Sequence, residues 1–252
     1  MIQELFKGAR YLLQGFSLIH QKGIRKFAYI PMAINTLLFS FAIWLGVSKF
    51  EQWINAMMPT WIPEWLLGWI MWIIWPLFSA LLLLIVFFSF SIIANLLAAP
   101  FNGVLAEAVE TKLLGNPPIG LNWQEIIKDA PSMIWNELRK ILYFVAWMIP
   151  LFILSWVPVI NIIAPVLWIT FSSWMLAIDY HDYPMGNHQL KFPQQRALLR
   201  QKRSLALGFG VATLGATMIP FVNFLVIPAA VAGATALYLD NYSSSNVGTE
   251  NA

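Results

Sequence analysis

The chain has 252 residues, 59% of them hydrophobic and 11% charged, where an ordinary soluble domain has roughly 45–50% and 25%. That is the composition of an integral membrane protein. A net charge of +3 is small and sits on the flanks of apolar runs, so it gives no reading of nucleic-acid binding; the absence of cysteine excludes disulfides, thiol nucleophiles and thiolate metal sites. Glu4, Lys7 and Arg10 interrupt the stretch where a cleavable signal would carry its apolar core, so the first spanning segment is expected to direct its own insertion. Trp53, Trp61, Trp65, Trp69, Trp123 and Trp135 lie where apolar runs begin or end, the level at which amphipathic rings meet a bilayer surface.

Ile2, Leu5, Phe6, Ala9, Leu12, Leu13, Phe16 and Ile19 fall at helical spacing, with Glu4, Lys7, Arg10 and Gln14 mostly off the stripe. Residues 1–22 are therefore read as an amphipathic helix lying on the membrane or against its neighbours, in which Gly8 and Gly15 would permit close packing. Gly23, Ile24, Arg25 and Lys26 then form a short basic turn that runs straight into an apolar segment. With helix from Phe27 onward, the free N–H groups of its first turn and the positive end of its dipole face that turn, which makes a ready site for an anion. The plainer reading is that Arg25 and Lys26 only flank a spanning helix on its cytoplasmic side. Residues 27–50 are long enough to cross about 30 Å of hydrocarbon. Lys49 to Glu64 reads as an outside loop, and residues 69–97 as a second span, interrupted at Pro76 and followed by a break at Ala99 and Pro100. Residues 107–140 carry charges of both signs, with Asn122 and Glu125 spaced as a capping box; they are assigned to the cytoplasm or the interface.

Residues 141–178 are uncharged but broken near their middle by Pro158, Asn161 and Pro165. One straight helix of that length would measure about 57 Å, too long for one crossing, while two crossings would need roughly 40 apolar residues and a turn. A helical hairpin that enters part way and returns satisfies both limits. The pattern recurs over 204–239, with Pro220, Asn223 and Pro228. Cations flank the first helix (Lys7, Arg10, Lys22, Arg25, Lys26) and follow the first hairpin (Lys191, Arg196, Arg200, Lys202, Arg203), which places both stretches in the cytoplasm. Residues 1–240 thus read as one all-α membrane domain, and 241–252 as a disordered tail. Asn35, Asn95, Asn161 and Asn223 each lie inside an apolar run. Singly they read as hydrogen-bonding glue between helices; together, two of them beside proline breaks, they read as candidate pore-lining amides able to pass an anion without trapping it.

Several stretches, taken in order, resemble the CysZ sulfate permeases of the bacterial inner membrane. They are Gly23-Ile24-Arg25-Lys26 with Pro31 and Asn35; Ala98-Ala99-Pro100-Phe101-Asn102 with Leu105, Glu107 and Glu110; and Asp182-Tyr183-Pro184 with Asn187-His188, then Arg196, Leu199 and Arg200. The likeness runs from Gly15 to Asp240. It implies an all-helical, multi-pass, homo-oligomeric protein with long spanning helices and partially penetrating hairpins, which moves sulfate inward for cysteine synthesis, with sulfite or thiosulfate as further ligands. It also implies that Gly23, Ile24 and Arg25 hold sulfate, Lys26 standing where a second arginine is often found. An ammonium is a point charge and not a two-pronged donor, so a less oriented second contact is expected.

Other constellations are weaker. His181, Asp182 and His188 suggest a metal or acid–base cluster, but they fall in what reads as a polar loop without a fourth ligand, so no metal site is assigned. Glu107 and Glu110 lie one turn apart on a helix face, ready to pair with Arg25 or Arg139 or to couple protons. Arg196, Arg200 and Arg203 share a helix face suited to anionic phospholipid. No phosphate-binding loop is present, and no cofactor or enzyme activity is expected. The rival reading is a non-transporting membrane scaffold or assembly factor; a lipid-handling enzyme is weaker still, since no nucleophile and base occur together.

Overall fold

The computed structural model describes residues 1–57, 63–115, 123–220 and 222–243. Every regular element among them is helical: α1 (Ile2–Ile19), α2 (Arg25–Met57), α3 (Glu64–Leu114), α4 (Trp123–Leu154), a 3-10 turn (Ile160–Ile162), α5 (Ala164–Asn187), α6 (Phe192–Gln201), α7 (Arg203–Thr217) and α8 (Asn223–Asn241). The chain divides into two compact units, residues 1–28 with 101–252, and residues 29–100. Among the described residues one helix, α8, is long and apolar enough to cross a membrane, and most of it is buried within its own unit.

In the larger unit α1 packs on both α7 and α8. Its buried face is Gly8, Tyr11, Leu12, Gly15, Leu18 and Ile19, which is rotated from the stripe read in the sequence and leaves Ile2, Phe6 and Leu13 exposed. Glycine is the reason. A Cβ on Gly8 would collide with the Leu205 carbonyl of α7, and one on Gly15 with the Ala229 carbonyl of α8. Gly208 and Gly233 answer from the other side, against the Leu5 and Tyr11 carbonyls of α1. Backbone-to-backbone contact is thus possible along this face alone, and it outweighs the wider apolar stripe. The crossing is pinned at one end, where Tyr11 Oη donates to Asp240 Oδ2 at 2.9 Å and accepts from Asn241 Nδ2 at 3.0 Å.

Several local expectations change. α2 starts at Arg25, two residues before Phe27, and runs on to Met57. α3 passes through Pro76 and through Ala99-Pro100 without ending; a proline costs one ladder hydrogen bond, which a long helix tolerates when its neighbours absorb the kink. The boundary between the units falls at Pro100 instead. The supposed loop at His181 and Asp182 is the last part of α5. α6 ends at Gln201 and α7 opens at Arg203, so Arg203 does not share a helix with Arg196 and Arg200. Asn241 and Tyr242, placed in a disordered tail by the sequence reading, are buried against the core. The side chains of Asn35 and Asn95, the cap residue Asn122, and the tail from residue 244 lie outside the described part.

α4, α5 and α6 meet at an ion cluster built around one buried lysine. Lys140 Nζ lies 2.9 Å from Glu137, 2.9 Å from Asp179 and 3.0 Å from Asp182, and Gln195 donates to the other oxygen of Asp182 at 2.7 Å. Burial by itself would lower the lysine's pKa, but the three carboxylates outweigh it and raise it. His181, the residue before Asp182 on α5, is wholly buried, edge-on to Phe209 and Tyr242, with Nδ1 on the Ala177 carbonyl at 2.6 Å.

Burial lowers the His181 pKa to about 4, only partly opposed by that backbone hydrogen bond. The unfolded chain takes up this proton near pH 6.5 and the folded chain only near 4, so stability is complete above 6.5 and declines as the pH falls between them. The decline amounts to about 3 kcal/mol. His181→Phe should remove this part of the acid sensitivity in thermal unfolding scans between pH 7 and pH 4. An unchanged pH profile would rule out His181 as its source.

Candidate functional site

The turn after α1 is held by its own backbone. Ile24 and Arg25 N–H both donate to the Gln21 carbonyl, at 3.2 and 3.1 Å, and Phe27 N–H donates to Ile24 at 2.9 Å. Gly23 has φ +96, a conformation in which any side chain is strained, although a Cβ there would have open space. Ile24 and Ala28 are buried one turn apart, and this leaves Arg25 and Lys26 exposed inside the first turn of α2. Cations are unfavourable at that end of a helix, and an anion there relieves both charges.

The turn faces the second half of α3 across a cleft of about 520 Å³. From the turn come Lys22, Gly23, Ile24, Lys26 and Phe27; from α3 come Val104, Glu107, Ala108, Thr111 and Lys112, spaced as one helical stripe. Arg25 is not part of this lining. Three lysines therefore line the cleft together with one glutamate. Glu107 Oε1 is buried and has no hydrogen-bond partner, and burial, with Glu110 beside it, raises the pKa of this carboxyl group. Its neighbour Glu110 is bound by His188 Nε2 at 2.9 Å, and among the described residues neither glutamate is ion-paired with an arginine.

Two blocks distant in sequence close around α3. Tyr183 hydrogen-bonds Asn102, Asn187 Nδ2 donates to the Gly103 carbonyl at 2.9 Å, and His188 meets Glu110. His181, Asp182 and His188 point to three different partners, and no group able to hold a metal ion occurs among the described residues. Asn161 in the 3-10 turn and Asn223 at the start of α8 are exposed and do not line the cleft. Sequence reasoning counted Lys22 only as flanking charge and missed Thr111 and Lys112. The spacing 104, 107, 108, 111 and 112 was the available signal, but nothing in it says which face of α3 the turn would meet.

Among the described residues, then, the chain is all-helical, with a cleft under a glycine turn that three lysines line. The family model described as "Sulfate transporter CysZ/Etoposide-induced protein 2.4" matches residues 11–228, and the chain belongs to that family. It is 43% identical over 247 residues to a sulfate transporter CysZ of Pseudomonas fluorescens (strain Pf0-1), covering 98% of both chains. It is 45% identical over 233 residues to that of Pseudomonas syringae pv. tomato, covering 92% of this chain and 91% of the relative. The family is one of transporters and not of enzymes.

Proposed function

We propose that this chain carries sulfate across the bacterial inner membrane, supplying sulfur for cysteine synthesis, and that it gathers the anion where Gly23, Ile24, Arg25 and Lys26 meet α3. The observation that carries the reading is the cleft itself, with Lys22, Lys26 and Lys112 converging on one volume in a chain whose relatives are sulfate transporters. Arg25, exposed on the outer side of the same turn, draws the anion in; Lys26 holds it. Residues 27–50 and 69–97 cross the bilayer, and 141–178 and 204–239 enter part way as hairpins. Asn161 and Asn223 at the exposed breaks, with Asn35 and Asn95, offer neutral amides along the route in an assembly of several copies.

Glu107 tunes the cleft. Its raised pKa favours the neutral carboxyl group, which can donate to an oxyanion where a carboxylate would repel it. Lys22, Lys26, Lys112 and Glu110 are the charges around it. Uptake of labelled sulfate into proteoliposomes tests the site. Lys26→Ala should weaken apparent affinity at least tenfold, the loss of one charge-assisted hydrogen bond of about 1.5–3 kcal/mol, and Arg25→Ala should slow uptake at low sulfate. Wild-type uptake should decline as rising pH ionises Glu107, and Glu107→Gln should flatten that decline. Unchanged uptake in both cation variants would remove the turn from the mechanism.

A further inference from the structure

We propose that Arg139 and Arg196 together hold the phosphate of an anionic phospholipid whose acyl chain lies along α4. The proposal rests on the membrane placement given above, but not on the cleft. Both guanidinium groups are pinned to aromatic rings: Arg139 sits over Trp135 at 5.3 Å, and Arg196 over Tyr143 at 5.0 Å and Phe192 at 5.9 Å. Tyr143 is itself fixed, packed on Phe192 at 5.6 Å and bonded by Trp174 Nε1 at 3.3 Å. Arg139 and Tyr143 are four residues apart on one face of α4, so Arg139 and the ring beneath Arg196 share that face.

Charge and length select the occupant. Among the described residues neither arginine is ion-paired; the nearby carboxylates Glu137, Asp179 and Asp182 all close on Lys140. From Tyr183 to Leu239 the chain has five Lys and Arg residues and no Asp or Glu. Beyond Arg139, Leu142, Ala146, Ile149 and Ile153 form an exposed stripe on the same side of α4. Eleven residues of helix rise about 17 Å, close to the half-thickness of a hydrocarbon core of about 30 Å. A stripe one leaflet deep, uncharged and headed by two ring-stacked arginines, fits one lipid: tail on the stripe, phosphate between the guanidinium groups.

Tryptophan quenching by brominated lipid reads the site in the full chain, since Trp135 lies directly under Arg139. In mixed vesicles, brominated phosphatidylglycerol should quench more effectively than brominated phosphatidylcholine, and Trp135→Phe should remove the difference. At about 1 kcal/mol for each interfacial arginine, Arg139→Gln or Arg196→Gln should lower the relative affinity for phosphatidylglycerol about fivefold, and the pair roughly 30-fold. The Arg139→Lys/Arg196→Lys pair, which keeps the charge, should retain most of the preference. Equal quenching by the two lipids, a preference that survives the double glutamine variant, or no quenching by either because a second copy covers α4 would each overturn the proposal. Wild-type protein that shows the preference without sulfate uptake upholds this site and counts against the cleft alone.

Discussion

Gly15→Ala should cost about 3 kcal/mol, although it adds a single methyl group. Overpacking a core typically costs 1–3 kcal/mol, and this case belongs at the upper end because the obstacle is the Ala229 carbonyl and the Gly233 N–H of α8. A side chain could rotate aside; helical backbone cannot, so α1 must lift off α8 and lose the seal made by Tyr11, Leu12 and Leu18. Gly208→Ala should behave alike, against Leu5 of α1. A control lies on the same helix as Gly208. Gly215 has nothing within 4 Å of its Cβ position, so Gly215→Ala should gain up to about 1 kcal/mol from helix propensity. Thermal unfolding in detergent reads all three: a drop of roughly 6–12 °C for the first two, and a small rise for the third. Equal responses at Gly208 and Gly215 would show that α1 does not make this crossing.

Lys140→Met should be the other large loss. The ammonium is the shared counter-ion of Asp179 and Asp182, which lie one turn apart on α5 and repel each other once it is gone. Breaking a fully buried pair costs about 3–5 kcal/mol. Here the aspartate side chains are 41% and 31% exposed, so water screens what remains, and about 2 kcal/mol is the expected loss. The lysine's raised pKa means that its contribution is full below its unfolded value and is lost only as the pH climbs through the higher folded value. The deficit of Lys140→Met should therefore be constant across neutral and mildly alkaline pH. Adding Asp179→Asn and Asp182→Asn to Lys140→Met should restore most of the stability, since neutral amides no longer repel. No recovery in that triple variant would show that packing of the lysine stem, and not its charge, holds α4 to α5.

Much of the helical framework was legible because its signals are local. Helical spacing marked α1, the prolines and asparagines near 158–165 and 220–223 marked the ends of α4, α5, α7 and α8, and the run Gly23 to Lys26 marked a turn. Local signals also misled. Pro76 and Pro100 read as interruptions, but a proline inside a long helix removes one hydrogen bond and leaves the neighbouring turns intact. The stretch with His181, Asp182 and His188 read as a polar loop, yet it is helix to Asn187, and three of its polar residues find separate partners: Asp182 on Lys140, Asn187 on Gly103, His188 on Glu110. Partners 42, 84 and 78 residues away leave no trace in spacing.

The sequence alone determined that this is an apolar, all-helical chain of the sulfate transporter family with a basic glycine turn ahead of a long helix, because composition, periodicity and motif order are properties of the residues themselves. Tertiary structure alone decided which face of α1 is buried, that Lys22, Lys26 and Lys112 line one volume with Glu107, and that Arg196 stacks on Tyr143 of α4. The physical reason is that a helix offers several faces of similar hydrophobicity. Which of them closes depends on where two backbones can approach, and that is fixed by glycines on α1, α7 and α8, from opposite ends of the chain.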